Sequence, residues 1–145
     1  MFYGANENEK LLSVVNYGLN RAFLITLVSV LILFLSAEKI LPIFTSSTEV
    51  INVGITYLKI IVLVYPVVGI SVICSRVCQA LGEGMPLLIT TITRVLILTA
   101  PLSYYFYIIG KPIEWVWFSQ VFAIVIAAII SYTWMRHYFK KFAIV

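Results

Sequence analysis

The chain has 145 residues, of which 62% are hydrophobic and 11% charged, and its mean hydropathy is +1.06. These values lie outside the range of soluble globular proteins and indicate a membrane protein. The net charge of +4 comes from scattered basic residues, with no run longer than Lys140-Lys141. That pattern is typical of contacts with lipid headgroups and of topology determinants, and it argues against nucleic-acid binding.

Four apolar stretches are long enough to cross a bilayer, since a helical crossing needs about 20 mostly apolar residues. They are residues 17–35, 51–80, 86–107 and 115–134. The sequence therefore predicts an all-α, polytopic membrane domain over residues 1–145. A cleaved signal peptide is the alternative for the first stretch, but Glu7, Glu9 and the three later stretches argue against it.

A short polar turn over residues 79–86 joins the second and third stretches. Gly82 and Gly84 permit the positive backbone angles that end a helix, and Pro86 suits the first turn of the next one. Two long apolar helices joined by so few residues can only return antiparallel. This turn therefore predicts a transmembrane hairpin. A second helix start near Ser47 is indicated by the capping-box spacing of Ser46 and Glu49.

Small and polar residues in the second stretch share one helical face, because they follow the spacing i, i+3, i+4, i+7 and i+8: Ser71, Cys74, Ser75, Cys78 and Gln79. Such a face in a membrane either packs against another helix or lines a water-filled cavity. A metal site is not expected, because two thiols do not complete tetrahedral coordination and His137 is distant in sequence.

Arg94 lies eight residues beyond Pro86, about 12 Å into a hydrocarbon core about 30 Å thick. Such a cation either reaches the surface and pairs with a loop carboxylate or lies in a polar translocation path. We take Ser71, Ser75, Gln79 and Arg94 as the cavity-lining candidates. Pro66 and Pro101 predict helix kinks, because proline removes a backbone donor.

Small residues recur every four positions in the first and fourth stretches, which predicts close helix packing. The two series are Gly18, Ala22 and Thr26, and Ser119, Ala123, Ala127 and Ser131. Trp115 and Trp117 are typical of an aromatic belt at the membrane surface.

The basic residues predict the orientation of the chain. Four crossings place both termini and the Gly82 turn on one side, which carries six lysines and arginines: Lys10, Arg21, Arg76, Arg136, Lys140 and Lys141. The other side carries three: Lys39, Lys59 and Lys111. The excess of positive charge predicts that both termini are cytoplasmic in the plasma membrane.

No carboxylate lies within any of the four stretches, although proton- or sodium-coupled carriers commonly place one there. The sequence contains no phosphate-binding loop, metal-ligand cluster or plausible Ser, His and acid triad. We therefore expect neither enzymatic activity nor a cofactor.

The order and spacing of several short motifs resemble the last third of the multidrug and toxic compound extrusion (MATE) transporters. The motifs are Phe2-Tyr3-Gly4-Ala5-Asn6, Leu41-Pro42-Ile43-Phe44-Thr45 with Glu49-Val50-Ile51, Tyr57-Leu58-Lys59-Ile60, Tyr65-Pro66, Gln79-Ala80-Leu81-Gly82-Glu83-Gly84 with Pro86, and Arg94 before Pro101-Leu102. The resemblance implies that the four stretches correspond to the ninth to twelfth helices of a twelve-helix antiporter, with residues 1–6 ending the eighth.

That resemblance also implies a function, namely export of organic, often cationic, compounds in exchange for protons or sodium ions. The rest of the family's fold, including its ion-coupling carboxylates, has no counterpart in this sequence, so we expect a truncated or split part that works with the missing portion. A self-contained dimeric exporter of the small multidrug resistance kind is the alternative, but it would need a glutamate that residues 18–35 lack. A non-transporting membrane scaffold subunit is a third.

Overall fold

The computed structural model describes residues 8–142, and in this range the chain is helical with short connections. Helix α1 spans Asn8–Ile40 and ends in a 3₁₀ turn over Leu41–Ile43; α2 spans Thr48–Val62, α3 Tyr65–Ala80, α4 Met85–Ile92, α5 Ala100–Ile108 and α6 Glu114–Phe142. A π-helical segment, Thr93–Thr99, joins α4 to α5 into one continuous rod. The expectation that residues 1–6 end a preceding helix falls outside the described residues.

Helices α2 and α3 together run the whole length of α1 in the opposite direction. Near one end, the Lys59 Nζ lies 2.8 Å from Glu38 Oε1; in the middle, Val30 packs with Ile61 and Val62. Near the other end, Val15 packs in one apolar cluster with buried residues of α3 and α6: Cys74, Cys78, Leu81, Met135 and Phe139. The two helices meet at a bend of 48° and together have the length and hydropathy of one broken membrane crossing.

Three further rods have the length and hydropathy of membrane crossings: Leu12–Ile43, Met85–Ile108 and Glu114–Lys140. With the bent α2–α3 pair they form an antiparallel bundle of four rods. The apolar cluster around Val15 places the start of α1, the α3–α4 turn and the end of α6 at one end. We call this the Gly82 end, and the opposite one, which contains the α5–α6 turn, the Gly110 end.

The two tight turns of the bundle use the same helix-ending geometry. Gly82 has φ +91° and Gly110 has φ +65°. The Glu83 N–H donates to the Cys78 carbonyl at 2.9 Å, and the Lys111 N–H donates to the Phe106 carbonyl at 3.0 Å. These six-to-one bonds define Schellman motifs, which require a residue that tolerates positive φ. Gly84, by contrast, has φ −84° and no such requirement.

Replacing Gly82 with alanine is expected to lower the free energy of unfolding by about 1 kcal/mol, because an L-residue is strained at positive φ. Gly18→Ala is the matched control: Gly18 lies in the middle of α1, and an added Cβ there meets nothing within 4 Å. The same chemical change should there be stabilising, since alanine is the better helix former. Unfolding of each variant in detergent, followed by circular dichroism, measures the sign; equal effects would contradict the assignment of the turn.

Side-chain burial shows which small-residue series packs most closely. Ser119, Ala123, Ala127 and Ser131 are between 0% and 2% exposed, so the predicted packing surface on α6 is confirmed. On α1, Thr26 Cγ2 lies 3.6 Å from the position of a Cβ on Gly69, Ala22 is half-buried, and a Cβ on Gly18 would meet nothing within 4 Å. The helix start predicted near Ser47 is confirmed, because α2 begins at Thr48 with Ser47 as its N-cap. The capping box predicted for Ser46 and Glu49 is wrong, because no side-chain hydrogen bond caps that helix.

Candidate functional site

Four hydroxyl groups meet where α3, α4 and α6 pack against one another. The Ser131 Oγ lies 3.1 Å from Ser71 Oγ, 3.2 Å from Ser75 Oγ and 3.2 Å from Thr90 Oγ1. All four side chains are buried. Helical spacing explains the arrangement, because Ser71 and Ser75 are one turn apart on α3 and therefore share a face. We call these residues the hydroxyl cluster.

The hydroxyl cluster is closed with respect to hydrogen bonding. The Ser131 hydroxyl donates to the Ala127 carbonyl at 2.9 Å, and the Thr90 hydroxyl donates to the Pro86 carbonyl at 2.6 Å. Ser131 is thereby left to accept from the serines of α3. Across the described residues, no buried side-chain nitrogen or oxygen lacks a partner. In this chain Ser71 and Ser75 thus pack between helices, one of the two alternatives left open by the sequence; a cavity-lining role for them stays a prediction.

The two cysteines lie in the packed interior of the bundle, on the Gly82 side of the hydroxyl cluster. Cys74 and Cys78 are fully buried against Val15 and Met135. Within residues 8–142, no group of three or more His, Cys, Asp or Glu side chains is placed to hold a metal ion. The thiols therefore contribute as small apolar side chains in this interior.

Gln79 lies away from the hydroxyl cluster, exposed near the Gly82 end. Its Oε1 accepts a hydrogen bond from Arg76 Nη1 at 2.8 Å. The pair occupies the last turn of α3, next to the Schellman turn. The structure therefore does not bring Gln79 together with Ser71 and Ser75, although all three fit one helical repeat in the sequence.

Arg94 is half-buried in the π-helical segment of the third crossing. In the described part of the chain its side chain makes no ion pair or hydrogen bond. Its carbonyl accepts from Thr99 Oγ1 at 2.8 Å, a five-residue separation that accompanies the wider π turn. π-Helical turns inside α-helices are frequent at functional sites, because they change the direction of neighbouring side chains.

Both prolines lie at the start of a helix, just after an irregularity. Pro66 is in the first turn of α3 and Pro101 in the first turn of α5. A proline has no backbone N–H to donate to the carbonyl four residues earlier, and its ring clashes with that carbonyl. For Pro66 that carbonyl belongs to Val62, the last residue of α2, so the break falls at Leu63 and Val64. For Pro101 it belongs to Ile97, inside the π-helical segment.

Trp117 departs from its predicted place in an interfacial belt. It is only 9% exposed, and its ring packs edge-on against Tyr57 with the ring centroids 5.4 Å apart. The pair lines a groove of about 520 Å³ between α2 and α6, together with Glu49, Val50, Val53 and Gly54. The four-residue series that begins at Ser119 does not predict this contact, because Trp117 lies two residues before Ser119 and therefore about 200° around the helix from it.

Comparison with known proteins gives the family. The sequence model of the protein family described as MatE matches residues 1–105 of this chain. This chain belongs to the MATE family. The resemblance inferred from the short motifs is therefore confirmed, and so is the all-α membrane fold.

Solved MATE structures share the fold over nearly the whole chain. An inward-facing multidrug resistance MATE transporter of the MOP superfamily superposes with a TM-score of 0.88 at 26% identity, covering 98% of this chain and 33% of the other. An outward-facing one gives 0.87 at 28% identity, covering 97% and 32%. A MOP-superfamily transporter from Pyrococcus furiosus gives 0.88 at 27% identity, covering 98% and 32%.

The chain thus spans about one third of the length of the solved MATE structures that it matches. No curated protein matches it. MATE family members are transporters, and the apolar helices of this chain make it a multi-pass membrane protein.

Proposed function

We propose that this chain forms part of a MATE-type exporter, which moves organic, often cationic, compounds out of the cell in exchange for protons or sodium ions. The observation that carries the proposal is the family match together with a superposition that covers this bundle of four rods almost completely. About two thirds of such a transporter would then be supplied by further helices, in the same polypeptide or in another.

The positions of the carboxylates support the proposal that further helices complete the exporter. In the described range, Glu38 lies near the end of α1, Glu49 and Glu114 in the first turns of α2 and α6, and Glu83 in the α3–α4 turn. None lies in the middle of a crossing, where an ion-coupling carboxylate would be needed. The coupling group of the exporter is therefore expected on the additional helices.

The orientation we propose has the Gly82 end in the cytoplasm. Lys10, Arg21, Arg76, Arg136 and Lys140 lie toward this end of the bundle, whereas Lys39, Lys59 and Lys111 lie toward the Gly110 end. Cytoplasmic ends of membrane helices carry the excess of lysine and arginine. Labelling of single cysteines introduced at Lys10 and Lys111 from either side of sealed vesicles would test this.

Reconstituted vesicles test the exporter itself. Transport is measured for the chain alone and for the chain together with a MATE transporter from which the corresponding helices have been removed. The substrate is a fluorescent organic cation, and a proton or sodium gradient is imposed. Transport that needs both components is the expected result. Transport by the chain alone would instead indicate a self-contained dimeric exporter, and no transport in either case would contradict an exporting role.

Arg94 is the side chain in this chain that we expect to matter most for export. Arg94→Leu should reduce transport by the complete exporter about tenfold or more, since this cation has no partner among residues 8–142 and would meet a polar group of the rest of the transporter or of its cavity. Membrane insertion of the third crossing should become about 3 kcal/mol more favourable, because an arginine near the centre of a crossing opposes insertion by about 2.5–3.5 kcal/mol.

Lys111→Leu is the control for Arg94, because Lys111 is an exposed cation in the α5–α6 turn, away from the cavity-lining candidates. It should change neither transport nor insertion appreciably. Transport by Arg94→Leu at the level of the unsubstituted exporter would contradict the role. Gln79 is a weaker candidate, and Gln79→Ala is expected to affect transport less than Arg94→Leu does.

A further inference from the structure

Three basic side chains cluster on the last turns of α6 at the Gly82 end. Arg136 and Lys140 are one turn apart on the same face, and His137 adjoins them; all three are exposed. Within residues 8–142, none of the three makes an ion pair. Like charges at this spacing repel each other, so the arrangement is unfavourable until an anion is bound.

The basic cluster lines a set of shallow, continuous grooves rather than a flat surface. One groove, of about 360 Å³, is bordered by Tyr132, Thr133, Arg136, His137 and Lys140. Another, of about 400 Å³, shares Thr133 and His137 and continues over Ile130 and Trp134. The first therefore offers cations and hydroxyls, whereas the second is largely apolar.

An exposed apolar stripe leads from these grooves along α6 toward the Gly110 end. Its members recur every three or four residues and are between 38% and 58% exposed: Phe118, Phe122, Val125, Ile129 and Tyr132. Arg136 and Lys140 continue the same series, so the stripe ends directly at the basic cluster.

We propose that these grooves hold an anionic phospholipid of the leaflet at the Gly82 end. Its phosphate would lie between Arg136 and Lys140, and an acyl chain would follow the stripe toward Phe122. The three parts of the surface match the three parts of such a lipid: cations for the phosphate, Tyr132 and Thr133 for polar headgroup atoms, and aromatic and aliphatic side chains for the hydrocarbon. Basic clusters beside crossing helices are the usual recognition surface for anionic headgroups.

Charge favours a lipid over another protein helix as the occupant. A helix seated on this stripe would have to bring carboxylates to the membrane surface at the height of Arg136 and Lys140. An anionic phospholipid brings its charge at that height in every membrane that contains it. The proposal needs α6 to cross a bilayer with its stripe facing lipid, and it is independent of what the assembled protein transports.

The experiment uses the full chain in nanodiscs containing phosphatidylglycerol and phosphatidylcholine in equal amounts. Lipid retained after transfer to detergent is counted by native mass spectrometry. The unsubstituted chain should retain phosphatidylglycerol preferentially. Arg136→Gln and Lys140→Gln should each lower that retention about fivefold, and the double variant about 25-fold.

Arg21→Gln is the matched control, because Arg21 is an exposed arginine toward the same end that lies outside the grooves and stacks on Tyr17 at 5.1 Å. Its retention of phosphatidylglycerol should be unchanged. Thermal unfolding in phosphatidylcholine nanodiscs should be the same for all variants, since the substituted side chains are exposed.

Three results would overturn the proposal. The first is equal retention of the two lipids by the unsubstituted chain, and the second is full retention by the folded double variant. In the third, an excess of inorganic phosphate displaces the bound phosphatidylglycerol, which would identify a general anion site with no contribution from the stripe.

Discussion

Ala127→Leu is expected to lower the free energy of unfolding of the bundle by about 2–3 kcal/mol. Ala127 is 1% exposed on the face of α6 that packs against the other helices. A leucine adds three carbon atoms where there is no space, so α6 must move away and its other contacts weaken. Unfolding in detergent, followed by circular dichroism, measures the loss.

The control for this prediction is Ala100→Leu, which makes the same change at an exposed position at the start of α5. It should be close to neutral. If the two leucine variants unfold alike, the packing of α6 through small residues is not what holds the bundle together.

Ser131→Val is expected to lower stability by a similar amount, about 2–3 kcal/mol, for a different reason. The valine removes the hydroxyl to which Ser71 and Ser75 donate, and it adds bulk at a position with no exposed surface. Ser29→Val should cost only a few tenths of a kcal/mol, because the exposed Ser29 hydroxyl bonds to the carbonyl of Ile25 in its own helix.

A second step separates the loss of hydrogen bonds from the added bulk. Replacing Ser71 and Ser75 with alanine in the Ser131→Val background removes the hydroxyls that have lost their partner and also makes room. This triple variant should recover about 1 kcal/mol relative to Ser131→Val. A further loss of stability would show that the hydroxyl cluster does not act as a unit.

The sequence predicted those features of the fold that depend on local patterns. The Gly82 turn followed from two glycines and a proline between long apolar stretches, and the packing face of α6 followed from small residues every four positions. In both cases the cause and the effect lie within a few residues of each other, so no knowledge of the partner helix is needed.

Features that depend on which helices meet could not be predicted in the same way. Ser131 was recognised as a small residue, but the hydroxyl groups that it meets on α3 and α4 lie 41 to 60 residues earlier in the chain. Trp117 was predicted to belong to an interfacial belt. Its contact with Tyr57 could not be predicted, because that contact depends on the pairing of α2 with α6. A four-residue repeat gives the face of a helix but not its neighbour.

The candidate site was predicted only in part for a related reason. Ser71, Ser75 and Gln79 fit one periodic face in the sequence, yet the α3 helix ends beside Gln79, and its side chain turns to Arg76 instead. The π-helical segment around Arg94 has no known sequence signal apart from the nearby Pro101. This segment and the helices on both sides of it, α4 and α5, all contact α6.

The break between α2 and α3 divides the second crossing into halves that are attached at different places. Helix α3 is fixed by the hydroxyl cluster and by the apolar cluster around Val15, both on the Gly82 side of Val64. Helix α2 is attached through the Lys59–Glu38 ion pair, through the packing of Ile61 and Val62 on Val30, and at Gly54, where an added Cβ would lie 3.0 Å from the Leu41 side chain. The two halves of this crossing are therefore anchored by different side chains, and no hydrogen bond of the hydroxyl cluster involves α2.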